Sequence, residues 1–338
     1  MFGRWFALVV VVALALATSI DAAPVGIKLA TQAPVNSVWH KALLDMGATW
    51  DTATQGRVKL VVYAGGSQGS EDATIRMMRP GVDQLQANLL MLPGLIQVDD
   101  GFNVFGMPFF FENDLEGLHV LEKLTPMFEK RLESKGFKLL AWASAGWVRL
   151  FSKQPLQTIA DLKNAKLFTS QGDEKMVQWY KANGFHPVAL AAGDIPAQLK
   201  LRTGMIDAAP SPPYPALLLQ IFRDAKYMLD VRVAPLYGAV VMTNEAWNRI
   251  EANDRPAILG AAKSLEKRVL GETPKLDADS VATMKTRGLT VTTLDANAIA
   301  AFRVEAEKLV TTMRGNMMPA DMYDAGVRER DVFRNTKK

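Results

Sequence analysis

From Val25 onward the chain alternates between short runs of β-type residues and longer stretches with helical spacing. Val25 to Thr31 reads as a strand, about Ser37 to Thr54 as a helix and Arg57 to Tyr63 as a strand, and another helix starts at Ser70. In the Ser37 helix the apolar residues Val38, Ala42, Leu43, Met46 and Trp50 share one face, and Gly56 stops it. The Arg57 strand alternates less cleanly, the mark of a strand covered on both faces. Strand-helix alternation of this kind implies α/β layers around largely parallel sheets.

A second unit with the same rhythm begins near Gly136. Phe137 to Trp142 and Trp147 to Phe151 read as strands, and Ala165 to Thr169 as the next. A helix over Asp173 to Asn183 ends before Gly184, and Pro187 to Leu190 is the following strand. The stretch Pro210-Ser211-Pro212-Pro213-Tyr214-Pro215 opens a helix toward Phe222, since proline is tolerated in a first turn and not deeper. Tyr237 to Thr243 is a further strand. Beyond Asn244 the pattern is helical, with a long helix from Asn253 to Leu270, except for Leu289 to Leu294.

The N-terminus differs from all of this. Arg4 precedes an uncharged run to Ala17, and Thr18-Ser19-Ile20-Asp21-Ala22 follows, the layout of a secretory signal cleaved near Ala22. The apolar run is too short to span a bilayer, which takes about 20 residues. Removing 22 of 338 residues leaves 316, enough for two lobes rather than one core. The absence of cysteine excludes disulfides, thiolate metal sites and a lipidated N-terminal cysteine. The formal charge of +4 is spread along the chain, so no basic nucleic-acid stripe stands out. The five basic residues between Arg328 and Lys338 read as a solvated, frayed tail.

Few motifs carry chemistry. Gly65-Gly66-Ser67-Gln68-Gly69 fits G-x-S-x-G between a strand and a helix, which would suit a serine hydrolase with Ser67 as nucleophile. Such an enzyme needs a late histidine, yet His40, His119 and His186 leave the last 152 residues without one. The plainer reading is a glycine turn feeding a helix capped at Ser70-Glu71-Asp72. The scattered histidines give no zinc pattern. The methionine pairs Met77-Met78 and Met317-Met318 read as core fillers, as do Phe102, Phe105, Phe109, Phe110 and Phe111 with one or two at a cleft.

Taken together, Gly56 to Leu60 with Gly65 to Gly69, Met107 to Phe111, Ile159 to Leu167, and Arg202 to Ala208 resemble the substrate-binding proteins of tripartite ATP-independent periplasmic (TRAP) transporters, dicarboxylate-type group. The resemblance runs over nearly the whole mature chain. It implies a two-lobed periplasmic binding protein fold, each lobe a mainly parallel sheet with flanking helices, and a long helix packing across both. It implies no enzyme activity and no cofactor or metal, but a small-molecule ligand taken in an interlobe cleft and passed to a membrane permease. Lobe I would comprise residues 23–146 with 244–252, and lobe II residues 147–243. Hinge strands would lie at Trp147 to Phe151 and Tyr237 to Thr243, and residues 244–338 would form a helical region shared by both lobes.

The resemblance also places the ligand site. It implies cleft positions at Gln32, Trp39, Asn88, Met91, Val148, Phe168, Gln171, Ser211 and Tyr214, to which Trp147 and Tyr237 are added at the hinges. Family members usually hold organic acids with an arginine where this chain has Phe168, and with a second where it has Val148. The usual asparagine in the Pro-rich loop is Ser211 here. A guanidinium fork gives a carboxylate two charge-assisted hydrogen bonds, about 3 to 6 kcal/mol for the pair. Without them the expected ligand is neutral or hydrophobic. The alternative is a conventional acid binder using Arg149, although adjacent strand residues face opposite ways and Arg149 should look out if Val148 looks in. Lys153, Arg202 and Arg76 are the remaining candidate cations.

Overall fold

The computed structural model describes residues 23–200 and 203–336. The signal segment, its cleavage site and Arg202 lie outside the described residues. The strands are β1 (Val25–Thr31), β2 (Val58–Tyr63), β3 (Ala87–Met91), β4 (Phe137–Trp147), β5 (Arg149–Ser152), β6 (Lys166–Ser170), β7 (His186–Leu190), β8 (Ala208–Ser211), β9 (Tyr227–Leu229), β10 (Pro235–Thr243) and β11 (Thr290–Thr292). The first half holds helices α1 (Val38–Ala53), α2 (Glu71–Met77), α3 (Leu92–Val98), α4 (Asp114–Ser134), α5 (Ile159–Asn164) and α6 (Glu174–Ala182). The second half holds α7 (Ile195–Gln198), α8 (Pro213–Leu218), α9 (Asn244–Arg249), α10 (Arg255–Thr286), α11 (Ala296–Met313) and α12 (Ala320–Thr336).

Two sheets result, ordered β2-β1-β3-β10-β4 in lobe I and β11-β9-β5-β8-β6-β7 in lobe II. Strands joined through helices pair in parallel, as β1 does with both β2 and β3, and β6 with both β7 and β8. Strands next to the interlobe crossings pair antiparallel: β10 with β3 and β4, β5 with β8 and β9. Except at the edge strand β2, where Lys59 and Val61 are exposed on one face against the expectation of cover on both, the lobe I sheet is covered on both faces. Trp39, Leu43, Met46 and Trp50 of α1 pack on one side with Ile258 and Leu265 of α10, and Phe102, Phe105 and Phe128 on the other. Met78, Met317 and Met318 are core residues, and Phe102 stacks on Phe128 with centroids 4.3 Å apart.

Three sequence readings change. Phe137 to Trp142 and Trp147 to Phe151 read as separate strands, yet β4 runs unbroken to Trp147. The small residues Ala143 to Gly146 hide the apolar pattern, and the carbonyl of Ser144 accepts bonds from Trp39 Nε1 (3.0 Å) and Thr273 Oγ1 (3.2 Å). The long helix reads as ending at Leu270, but α10 continues through Gly271 and Pro274 to Thr286, because its second half buries Met284 in the lobe II core. The basic tail is not frayed over the described residues. It lies in α12 against α4, where Arg334 Nε meets the buried Glu116 Oε1 at 2.5 Å and Arg330 sits 4.4 Å over Phe110.

Candidate ligand-binding cleft

The chain passes from β4 to β5 across one residue, Val148, and returns over residues 230–234 into β10. The two crossings are bonded side by side: Val148 N–H donates to Ala234 O (2.9 Å) and Val233 N–H to Val148 O (3.1 Å). Tyr237 to Thr243, expected as the second hinge strand, lies within β10 of the lobe I sheet, after the crossing.

In front of the crossings lies a cavity of about 250 Å³ with walls from both lobes. Lobe I contributes Gln32, Glu71, Asp72, Met91 and Gln97; lobe II contributes Phe168, Ser170, Gln171, Leu190 and Ser211; Val148 forms part of the hinge wall. Among the described residues no lysine or arginine lines it. The Gly65–Gly69 turn seats Gln32, whose Nε2 donates to Gly69 O at 2.7 Å. Gly66 has a φ of +69°, and a Cβ there would lie 2.7 Å from Gln32 Oε1, so a side chain would be strained and would displace the Gln32 amide. Ser67 itself is exposed in the turn.

Glu71 is the unusual group. Ser70 caps α2 by accepting from Ala73 N–H (3.3 Å), but Glu71 reaches away to the start of α3, where Oε1 accepts from Met91 N–H at 2.6 Å. Burial pushes its carboxyl up to about 7, against the opposing pull of the Met91 and Gly94 amides. Asp72 is paired with Arg76 one helical turn on, which occupies that cation. At the cleft mouth the lobes touch: Gln97 lies beside Gly172, and Lys175 Nζ bonds Asp100 Oδ2 (2.9 Å) and Asn316 O (3.0 Å).

Gln32, Met91, Val148, Phe168, Gln171 and Ser211 therefore come together around one cavity. The other five named positions do not line it. Trp39 is buried with its indole on Ser144 O, and Asn88 Nδ2 is held by Thr74 Oγ1 at 2.7 Å behind the cleft. Tyr214 packs on Trp39 (5.0 Å between centroids), and its hydroxyl accepts from Val38 N–H (3.3 Å). Trp147 and Tyr237 face a second cavity of about 360 Å³ behind the hinge. Arg149 faces the rear as well, bonded to Asp230 (2.8 Å), while Lys153 pairs with Asp207 (3.4 Å). Glu71, Asp72, Gln97 and Ser170 were not foreseen. The polar run Ser70-Glu71-Asp72 looks like ordinary helix capping, and only the fold of α2 against α3 turns Glu71 into the cavity.

Residues 29–316 match the sequence pattern of the DctP family, described as bacterial extracellular solute-binding protein, family 7. The chain belongs to this family. It is therefore a solute-binding protein and not an enzyme, which removes the hydrolase reading of Ser67. Among relatives of this family 7 chain, an uncharacterized protein of Haemophilus influenzae is 23% identical over 65% of this chain and 66% of its own length. The sialic acid-binding periplasmic protein SiaP of Vibrio cholerae is 22% identical over 84% of this chain and 87% of its own. Two solved structures share the fold. A TRAP periplasmic solute-binding protein of H. influenzae with bound L-gulonate gives a TM-score of 0.80 at 20% identity, covering 92% of this chain and 99% of that one. DctP7 of Bordetella pertussis, which binds pyroglutamic acid, gives 0.82 at 18% identity, covering 90% and 99%.

Proposed function

We propose that this chain is the periplasmic receptor of a TRAP-type transporter, which encloses a small uncharged, partly apolar solute between its lobes and presents it to a membrane permease. The lining of the front cavity carries the reading. Phe168 and Val148 stand beside neutral hydrogen-bonding groups, no lysine or arginine lines the cavity among the described residues, and of its two acids Asp72 is paired with Arg76 while Glu71 is bonded to backbone amides. An organic acid placed there would bury its carboxylate without a partner, at a cost of several kcal/mol, and would repel ionised Glu71.

A second reading has its own support. Solved relatives bind acids, among them L-gulonate and pyroglutamic acid. An acid binder of this chain would recruit Arg149, which would have to leave Asp230 and turn through the hinge to the front. The test is mass spectrometry of the small molecules released when protein purified without refolding is denatured. A neutral compound supports the first reading. An organic acid, together with loss of its binding in Arg149→Ala, establishes the second and refutes the first.

A further inference from the structure

Behind the hinge, three elements converge on one carboxylate. Asp277 lies on α10, three residues past Pro274, where the ring removes an amide and leaves the Leu270 carbonyl without its helical donor. Its Oδ2 accepts from Trp147 N–H (3.1 Å), at the end of the lobe I strand β4. Its Oδ1 accepts from Tyr214 N–H (3.2 Å), in the first turn of α8 and three residues after Ser211, the end of the lobe II strand β8. Each bonded amide is close in sequence to a cavity wall: Val148 follows Trp147, and Ser211 to Pro212 precede Tyr214. Space around the carboxylate is committed to this contact, for a Cβ on Gly146 would lie 2.1 Å from Oδ2.

We propose that Asp277 is the positioning residue of the hinge: without reaching the ligand, it sets the angle between the lobes by holding the end of β4 and the start of α8 to the proline-interrupted turn of the long helix. This deepens the receptor reading given above and rests on it, because it supplies the control of the cleft that such a receptor opens and closes. The groups facing Asp277 from other elements are Arg149 of β5, Asp114 of α4, Asp230 and Arg232 of the return crossing, and the Tyr237 hydroxyl of β10. Burial is the largest effect on the carboxyl and lifts it to about 6; the two amides and Arg149 pull it down, and Asp114 pushes it up.

The sign follows from proton linkage. The enclosed carboxyl holds its proton more tightly than one in water, so the arrangement described here gains on acidification between about 6 and the ordinary 3.8. Above that window the ionised group favours an arrangement that admits water to it through the rear cavity. The experiment uses ligand-free full-length mature protein, so it does not depend on which solute binds. The backbone amide resonances of Trp147 and Tyr214 are followed by NMR across the window, with the radius of gyration from X-ray scattering alongside. Both amides are expected to shift with one common midpoint near pH 6, and the particle to expand as pH rises through it. In Asp277→Asn both responses should vanish while the fold persists. Different midpoints for the two amides, or an unchanged response in Asp277→Asn, would overturn the proposal. The wild-type titration decides the matter even where the variant fails to fold.

Discussion

Glu71 is partly buried beside neutral groups, and its carboxyl, lifted from 4.5 to about 7, is protonated in the folded protein over a range where it would be ionised in the unfolded chain. Folded protein therefore binds the extra proton between those two values, and stability falls as pH rises through the window. Glu71→Gln keeps an oxygen for the Met91 amide and removes the titration. It should match wild type at about pH 4 and exceed it by about 1–2 kcal/mol at about pH 8 in urea denaturation; parallel curves would mean that the carboxyl is well solvated. Phe168 tests the ligand class more directly. Phe168→Arg places a guanidinium in the cavity wall, and binding of succinate or D-glucuronate by calorimetry should rise about a hundredfold, with about 1–3 kcal/mol of stability lost from the lobe II core. At this scale the cleft was half legible. Gln32, Val148 and Phe168, expected in the cleft from the family resemblance, line the front cavity, whereas Trp39 and Asn88, expected there on the same ground, turn into the core because their polar atoms meet Ser144 O and Thr74 Oγ1.

Among the elements, the passage from β4 to β5 is the most constrained. Gly146 combines a φ of +103° with the approach of Asp277, while Gly288 has a φ of +98° with open space around its Cα. Gly288→Ala should cost about 1 kcal/mol from backbone strain alone, and Gly146→Ala about 2–4 kcal/mol because a side chain there also displaces Asp277. Thermal denaturation of the two variants compares them, and equal losses would mean that the contact is easily relaxed. The C-terminal helix offers a similar contrast. Glu116, 1% exposed, relies on Arg334 for its counter-charge. Arg334→Ala should cost about 3 kcal/mol, and Glu116→Leu in that background should recover much of it, since the penalty is that of an unpaired buried charge. Element boundaries were legible where caps or glycines mark them: Ser37 and Gly56 bracket α1 closely. They were hidden where a helix tolerates its own breakers, as α10 does at Gly271 and Pro274, because long-range burial of Met284 outweighs the local signal.

At the level of the whole molecule, two lobes were foreseeable from length and repeated rhythm, but the contacts that hold them together come from residues distant in sequence. Lys175 of α6 reaches Asp100 and the carbonyl of Asn316 across the cleft mouth, and Asp173 lies close enough to Asp100 for the two charges to raise its carboxyl further above the effect of burial. No local pattern marks Lys175 as different from any other surface lysine. Both partners are about half exposed, so the ion pair is worth no more than about 1 kcal/mol, or about fivefold in the affinity of any ligand that requires closure. Lys175→Ala should therefore weaken binding of the co-purifying solute by about fivefold or less, an effect that fades as salt rises. Lys175→Glu sets a third acid beside Asp100 and Asp173, and it should weaken binding further while enlarging the radius of gyration in X-ray scattering. The two variants together separate closure from folding. A loss of affinity without expansion in Lys175→Glu would place the lysine's role within one lobe, whereas expansion that salt reverses identifies the mouth contact as part of the balance between open and closed forms that Asp277 sets from behind.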